Sequence, residues 1–431
     1  MEGTCCLKHI QAFMIFSTLG LALAGCGLTT STQTEGGSVS SQNIIHLKIA
    51  WWGSQVRHDV TLKAIKLYEK EHPDETFTAE YSSYNDYWKT LATEESANAA
   101  PDIIQMDAAY LADYAARGRL ADLSTGISTG DIDQPLLDSG KYKGKLYAVA
   151  LGNNAYGIAY NKIALEKLGI SLPRASWTWD AYFQLAKKIQ PKLEQGHFAI
   201  SDSSADARVY QTYQLAMGKG DIAAAKFAID EHTWANWERT FAELRKEGVV
   251  PPPNVETSEK QYDPKQDLLL NGTVLFRPMF AAEFPAYNSI RPGIFALTTM
   301  PKGVQAGGYL KPSMFWAVNP RSKHIKEAKN FINWFIHDPK AAEILGTTRG
   351  IPVSNQVLDA LRSNFTDADK EQLELIKKTA KDANPFASGP KGWGNFEEPD
   401  YKRITQQLEF GKASYDQVFQ ELEKKFYDDI Q

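Results

Sequence analysis

IIHLKIAWW at residues 44–52, RHDVTLKAIKLYEKEHP at 57–73, TFTAEYSS at 76–83, YNDYWKTLATEESANAA at 84–100 and PDIIQMD at 101–107 decide the fold. The first is an apolar, β-branched run that stops at Gly53, as a buried strand does. In the second, Val60, Ala64, Leu67 and Tyr68 recur at helical spacing and Pro73 ends the helix. The third alternates like a strand, the fourth reads as a helix and the fifth as another strand. Strand, helix, strand, helix, strand predicts a parallel sheet with right-handed crossovers. Ligand-contacting residues of such a sheet belong at the carboxyl ends of its strands, which puts Trp52 to Arg57, Ser82 to Asp86 and Asp107 to Tyr110 on one rim.

Downstream, a second α/β region is predicted from about Asn153. It contains AYGIAYN at 155–161, a Pro/Trp turn at 173–179 and helices at 180–189, 205–217 and 233–247. PPPN at 251–254 marks a break, followed by a helix at 261–270, strands TVLF at 273–276 and MFWAV at 314–318, and a helix at 324–337. In that last helix Ile325, Ala328, Ile332, Phe335 and Ile336 share one face. No fixed-period repeat is present, which disfavours a solenoid.

The 431 residues leave room for two or three globular units, and 43% hydrophobic against 23% charged residues is a folding composition. With 47 basic and 52 acidic residues in no long blocks, the net charge of −5 argues against a nucleic-acid binder. The three cysteines, Cys5, Cys6 and Cys26, all precede the folded part, so no disulfide framework or cysteine-ligated metal is available to it. Eight histidines are scattered without metal-ligand spacing, and no metal or other cofactor is expected. His58, between Arg57 and Asp59 at a helix start, reads as a capping or surface group.

AFMIFSTLGLAL at 12–23 is too short to span a bilayer and suits the apolar region of an export signal. Leu23-Ala24-Gly25-Cys26 behind it resembles the lipobox of bacterial lipoproteins, which implies lipidation of Cys26 and loss of residues 1–25. GLTTSTQTEGGSVSSQ at 27–42 is a flexible Ser/Thr/Gly run, so residues 26–43 read as a tether.

WWG at 51–53, PDIIQMD at 101–107, LADL at 120–123, GKLYAVALG at 144–152, IAYNK at 158–162, SWTWD at 176–180, NPRSKHIKEAKNFINWF at 319–335 and RGIPVSN at 349–355 run in order along the chain. Together they resemble the extracellular solute-binding proteins, family 1, of ABC sugar importers. AWWGSQVRHDVT at 50–61, YNDYWKTLA at 84–92, PDIIQMDAAYLADY at 101–114 and YLKPSMFWAV at 309–318 are similar to members binding pectin-derived oligosaccharides, rhamnogalacturonan fragments in particular. The resemblance implies a periplasmic-binding-protein fold, with two α/β lobes joined by a hinge and the ligand cleft between them. It places chain crossings near Gly152, Leu310 and residues 355–365, giving lobe 1 as 44–152 plus 311–360 and lobe 2 as 153–310 plus 361–431. It further implies a monomer at the cell membrane that captures an oligosaccharide outside the cell and hands it to ABC permease subunits, without covalent chemistry.

A sugar needs directional partners for its hydroxyls and apolar planes for its C–H faces. Trp52, Tyr84, Tyr156, Phe280, Tyr309 and Trp393 are aromatic candidates, each with core packing as its alternative. Alternation sends Trp51 and Trp52 to opposite faces, and Trp52 is the better cleft residue. Asp107 ends a strand and can either accept sugar hydroxyls or cap the helix that follows. Asn153 and Gln55 are polar contacts or plain turn residues. Arg57, Arg277, Lys311 and Arg349 can each meet a uronate carboxylate or form a salt bridge, and Arg57 and Lys311 lie in the segments of closest resemblance. The rival function is a lipid-anchored glycoside hydrolase or polysaccharide-processing protein with two facing carboxylates. No GxSxG, HExxH or GxxxxGK[ST] motif is present.

Overall fold

A computed structural model describes residues 44–172 and 177–430. The export signal, Cys26, the tether and the start of the Pro/Trp turn lie outside the described residues. Among the described residues twelve strands occur in chain order: β1 (Ile45–Trp52), β2 (Glu75–Ser82), β3 (Ile103–Met106), β4 (Lys141–Tyr142), β5 (Lys145–Leu146), β6 (Ala148–Ala150), β7 (Asn153–Asn161), β8 (Phe198–Ile200), β9 (Val274–Phe280), β10 (Phe295–Thr299), β11 (Leu310–Pro312) and β12 (Phe315–Val318).

β1 lies between β2 and β3 and is parallel to both, joined by the helices Gln55–Glu71 and Tyr84–Ser96. This is the βαβαβ unit the sequence predicts. β12 adds antiparallel to β3, and β6 completes the first sheet in the order β2-β1-β3-β12-β6. Leu47, Ile49 and Trp51 of β1 are fully buried in one hydrophobic cluster with Phe331, Ile332 and Phe335 of the helix Ile325–His337. The period-two pattern of the strand and the 3.6-residue pattern of the helix thus meet in one core.

The second sheet runs β10-β7-β9-β8, with β11 also pairing β7. One hydrophobic cluster unites Ile158 of β7 and Phe276 of β9 with the helices Trp179–Ile189, Ala207–Ala216, Glu231–Lys246, Tyr401–Glu409 and Tyr415–Asp429. Another joins Ala155 and Ala159 of β7 to the helices Phe284–Ile290, Asn355–Leu361 and Asp367–Ala380. The chain is therefore a mixed α/β protein of two lobes, one built on each sheet.

At the joint three segments run side by side. Ser313 N–H donates to the Gly152 carbonyl at 2.8 Å, Leu151 N–H to Met314 at 2.9 Å, and Asn153 and Ile351 exchange backbone bonds at 2.7 and 3.1 Å. Gly152 permits this approach, because a Cβ there would collide with the Arg349 carbonyl.

One predicted helix is not formed. Residues 261–270 are successive turns, since Tyr262 takes a left-handed φ of 67° and Pro264 follows it. Asp267 Oδ1 accepts from the N–H groups of Leu269 and Leu270, both at 3.0 Å, in place of helical bonds.

Candidate ligand-binding site

Asp107 leaves β3 at its carboxyl end and caps the helix Ala108–Ala116, with Oδ1 accepting from Ala109 N–H at 2.9 Å. Its other oxygen stands 4.0 Å from Lys311 Nζ. Capping therefore occupies one oxygen and leaves the second facing the other lobe.

Beside Asp107 the rim of the first sheet is aromatic. Trp52 at the end of β1 meets Tyr84 edge-on at 5.3 Å and also packs on Tyr87 and Trp88. Trp88 stacks on Tyr110 at 4.0 Å. Tyr84, Trp88 and Tyr110 are half-buried, whereas Trp52 is buried behind them. Burial, with the Asp107 charge adding, holds the Tyr84 phenol well above its usual pKa, so it stays a neutral donor and acceptor.

The second lobe supplies the facing side. Phe280 at the end of β9 meets Tyr156 at 4.4 Å, Tyr309 stacks on Phe386, and Lys311 Nζ sits 4.7 Å from the Phe280 ring centre. Trp393 Nε1 donates to Glu397 Oε1 at 3.2 Å. The other Glu397 oxygen accepts from Arg208 Nε at 3.0 Å, and Arg208 also pairs with Glu398 at 3.1 Å. Burial pushes the Glu397 carboxyl up, while the Arg208 and Lys311 charges draw it back. Burial also opposes the Arg208 charge, but Glu397 and Glu398 outweigh it and hold the guanidinium charged.

Between the two faces lies a nearly closed cavity, with about 10 Å3 of room, lined by Asp107, Arg208, Phe280, Lys311, Trp393 and Glu397, with Tyr309, Phe386 and Gln211 also at its wall. Its lip is closed by the Tyr110 hydroxyl, which donates to the carbonyls of Gly394 at 3.3 Å and Glu398 at 3.4 Å.

Five residues singled out in the sequence, Asp107, Phe280, Tyr309, Lys311 and Trp393, thus meet at one cavity. Trp52 and Tyr84 belong to the aromatic wall beside it. Asn153 sits at the inter-lobe joint, paired with Ile351. Gln55 is exposed on the first turn of its helix, bonded to Asp59 at 2.7 Å. Arg57 is buried outside the cavity lining, donating to the carbonyls of Thr348 at 2.9 Å and Trp52 at 3.3 Å. Arg277 pairs with Glu259 and Asp267 inside the second lobe. His58, expected as a capping or surface group, is instead buried, because its Nδ1 accepts from Trp51 Nε1 at 3.1 Å.

Aromatic faces, a few carboxylates and charged donors can hold a polyhydroxylated ligand. Among the described residues no cluster of three or more His, Cys, Asp or Glu is arranged to hold a metal, and no helix is long and apolar enough to cross a membrane.

The sequence model of the bacterial extracellular solute-binding proteins matches residues 63–373, most of the chain. The chain belongs to that family. This solute-binding protein is 23% identical over 346 residues to the multiple sugar-binding protein of Streptococcus mutans, an alignment covering 76% of this chain and 78% of the relative. An extracellular solute-binding protein family 1 member from Alicyclobacillus acidocaldarius superposes with a TM-score of 0.63 at 27% identity, over 90% of this chain and 99% of the other. A periplasmic oligogalacturonide-binding protein of Yersinia enterocolitica, solved with saturated digalacturonic acid, gives a TM-score of 0.79 at 20% identity over 90% of this chain and all of its own. These are likenesses to binding proteins, and the hydrolase reading falls away.

The solute-binding protein also places Arg208, Gln211, Phe386 and Glu397 at the cavity, none of which the sequence singled out. For Glu397 alone a signal could have been found, in the stretch SGPKGWGNFEEPD at 388–400, with an aromatic residue and paired acids in a Gly/Pro-rich setting.

Proposed function

We propose that the chain is the capture receptor of an ABC importer, taking an oligosaccharide outside the cell and passing it to membrane permease subunits. The observation that carries this reading is the cavity between the lobes, walled by Phe280, Tyr309 and Trp393 and edged by Asp107, Lys311 and Glu397. With about 10 Å3 of room, roughly what one water needs, the cavity admits an oligosaccharide only when the lobes part, and grips it when they close. Asp107, Phe280, Tyr309, Lys311 and Trp393 would touch the ligand, with Trp52 and Tyr84 backing them, while Asn153, Gln55 and Arg57 stand apart from that contact set.

We further propose two lobes divided close to the expected bounds of 44–152 plus 311–360 and 153–310 plus 361–431: the pairing of β11 with β7 moves the second crossing to Ser313, which leaves Lys311 on the second lobe, and the helix Asn355–Leu361 packs in the core of the second sheet. Plant cell-wall pectin is the proposed source of the ligand, supported by the motif resemblance and by the likeness to the Yersinia protein. Attachment through lipidated Cys26 is proposed from the lipobox alone, and the receptor would act as a monomer.

The test is calorimetry of the full chain with pectic and other plant oligosaccharides, followed by chromatography of the recovered ligand. Saturable binding with the sugar recovered intact is the expected result. Failure of every saccharide to bind, or recovery of cleaved sugar, would refute the reading. Radiolabelled palmitate entering the wild-type chain but not Cys26→Ser tests the anchor.

A further inference from the structure

The charge around the cavity specifies its ligand further. Two cations line it, Lys311 and Arg208, and each faces carboxylates of its own chain. Lys311 Nζ is 4.0 Å from Asp107 and lies over the rings of Phe280 and Phe386, at 4.7 and 5.9 Å. Arg208 gives Nε to Glu397 and another nitrogen to Glu398. Directly behind, Asp206 caps the helix Ala207–Ala216 by accepting from the N–H groups of Arg208 and Val209, and its second oxygen accepts from Tyr156 at 3.4 Å. The two helix N-termini that contribute positive partial charge here are therefore already met by Asp107 and Asp206.

Two carboxylates, Asp107 and Glu397, thus line the cavity with the two cations, and Glu398 stands behind Arg208, so neither cation is left without an acid. The other cations readable in the sequence are committed elsewhere: Arg57 to two carbonyls, Arg277 to Glu259 and Asp267, and Arg349 between Trp316 and Phe335.

We infer that this cavity selects uncharged oligosaccharides and rejects those carrying a uronate carboxylate. The inference rests on the sugar-receptor reading and adds the ligand's charge to it. Hydroxyl groups are donors, and Asp107 and Glu397 retain acceptor capacity for them. A uronate seeking Lys311 must instead displace Asp107 or settle between Asp107 and Glu397, and like-charge juxtaposition of this kind is how a site excludes a near relative of its ligand. Fold likeness to the oligogalacturonide-binding protein does not carry that protein's cation placement. Within pectin, the neutral galactan and arabinan side chains meet the requirement, and the galacturonate backbone does not.

The test is calorimetry on the full chain at one ionic strength. It compares neutral galactan, arabinan, α-galactoside and glucan oligosaccharides with oligogalacturonates of equal length. At least one neutral sugar is expected to bind a hundredfold or more tighter than any oligogalacturonate. An oligogalacturonate binding as tightly as the best neutral sugar overturns this inference and leaves the receptor reading standing; binding by neither class overturns both. Asp107→Asn, which keeps a capping oxygen, and Glu397→Gln supply the second measurement. The preference for neutral over uronate ligand should shrink at least tenfold in one or both. If both variants weaken the two classes by the same factor, the carboxylates do not set selectivity and the inference fails.

Discussion

Tyr110 lies flat against Gly394 across the cleft: a Cβ on that glycine would come within 2.6 to 2.8 Å of three ring atoms, and the phenol donates to its carbonyl. The ring cannot yield easily, because Trp88 stacks on its other side at 4.0 Å. Gly394→Ala should therefore prop the lobes apart while sparing both cores. Small-angle scattering should show a larger radius of gyration in the presence of ligand than for wild type, with affinity at least tenfold weaker. An unchanged radius and affinity would mean that this contact does not limit closure.

Asp107 has two separable jobs. Removing its side chain with Asp107→Ala deletes the N-cap of the helix Ala108–Ala116, at about 1 kcal/mol of stability, and also removes the acceptor aimed at the cleft. Asp107→Asn keeps a capping oxygen and loses only the charge. Thermal unfolding should separate the two variants, whereas neutral-sugar affinity should fall more than tenfold in the alanine variant, about 1.4 kcal/mol. Trp52→Ala is expected to weaken binding by a similar factor through collapse of Tyr84 and Trp88, which lean on it. Equal affinity in Trp52→Ala and Asp107→Ala and wild type would remove the site while leaving the fold.

What the sequence made legible was local or strand-terminal. β1 to β3 and their helices follow from periodicity alone, and Asp107 was identifiable because the end of a buried strand must face the rim. Arg208 and Glu397 were not, since they stand 189 residues apart and only the packing of two helical segments in the second lobe brings them together. Gln55 was placed in a binding loop because the helix start was set two residues late; Ser54 caps a helix beginning at Gln55, which turns that side chain outward toward Asp59. Residues 261–270 have helical composition, but the Asp267 carboxylate gathers backbone N–H groups that a helix would need.

His58 gives the stability a pH dependence with a defined sign. Burial, with the Arg57 and Arg349 charges adding, pulls its pKa down to about 4, against about 6.5 in an unfolded chain. Between those values the unfolded chain binds the proton and the folded one does not. The stabilisation is thus complete above pH 6.5 and is lost as pH falls toward 4. Glu409 works oppositely: burial first, then the Asp202 charge, raises it to about 7, so its stabilisation is lost as pH rises toward that value. Subtracting the urea profile of His58→Gln from that of wild type isolates the histidine. The wild-type advantage should shrink between pH 7 and pH 4.5, and a flat difference would show that His58 is solvated.

Among the described residues no acid pairs with Arg349. Its guanidinium lies between Trp316 and Phe335, with centroid distances of 5.4 and 5.3 Å, and Nε donates to Gln105 at 3.3 Å. Its two terminal nitrogens are buried and have no hydrogen-bond partner among the described residues. Burial pulls its pKa well down, and the Arg57 charge pulls it further. Contact with two aromatic faces returns part of the desolvation cost, about 2 kcal/mol or more for a desolvated cation, but an unpaired buried charge costs more than that. Arg349→Met keeps the length and apolar volume of the side chain and removes the charge. Urea denaturation should find the variant more stable by about 1 kcal/mol, with the slope unchanged. A loss of stability instead would mean that the arginine holds Gln105 and the Trp52 carbonyl behind it in the geometry the cleft requires, since Gln105 Nε2 donates to that carbonyl at 3.0 Å.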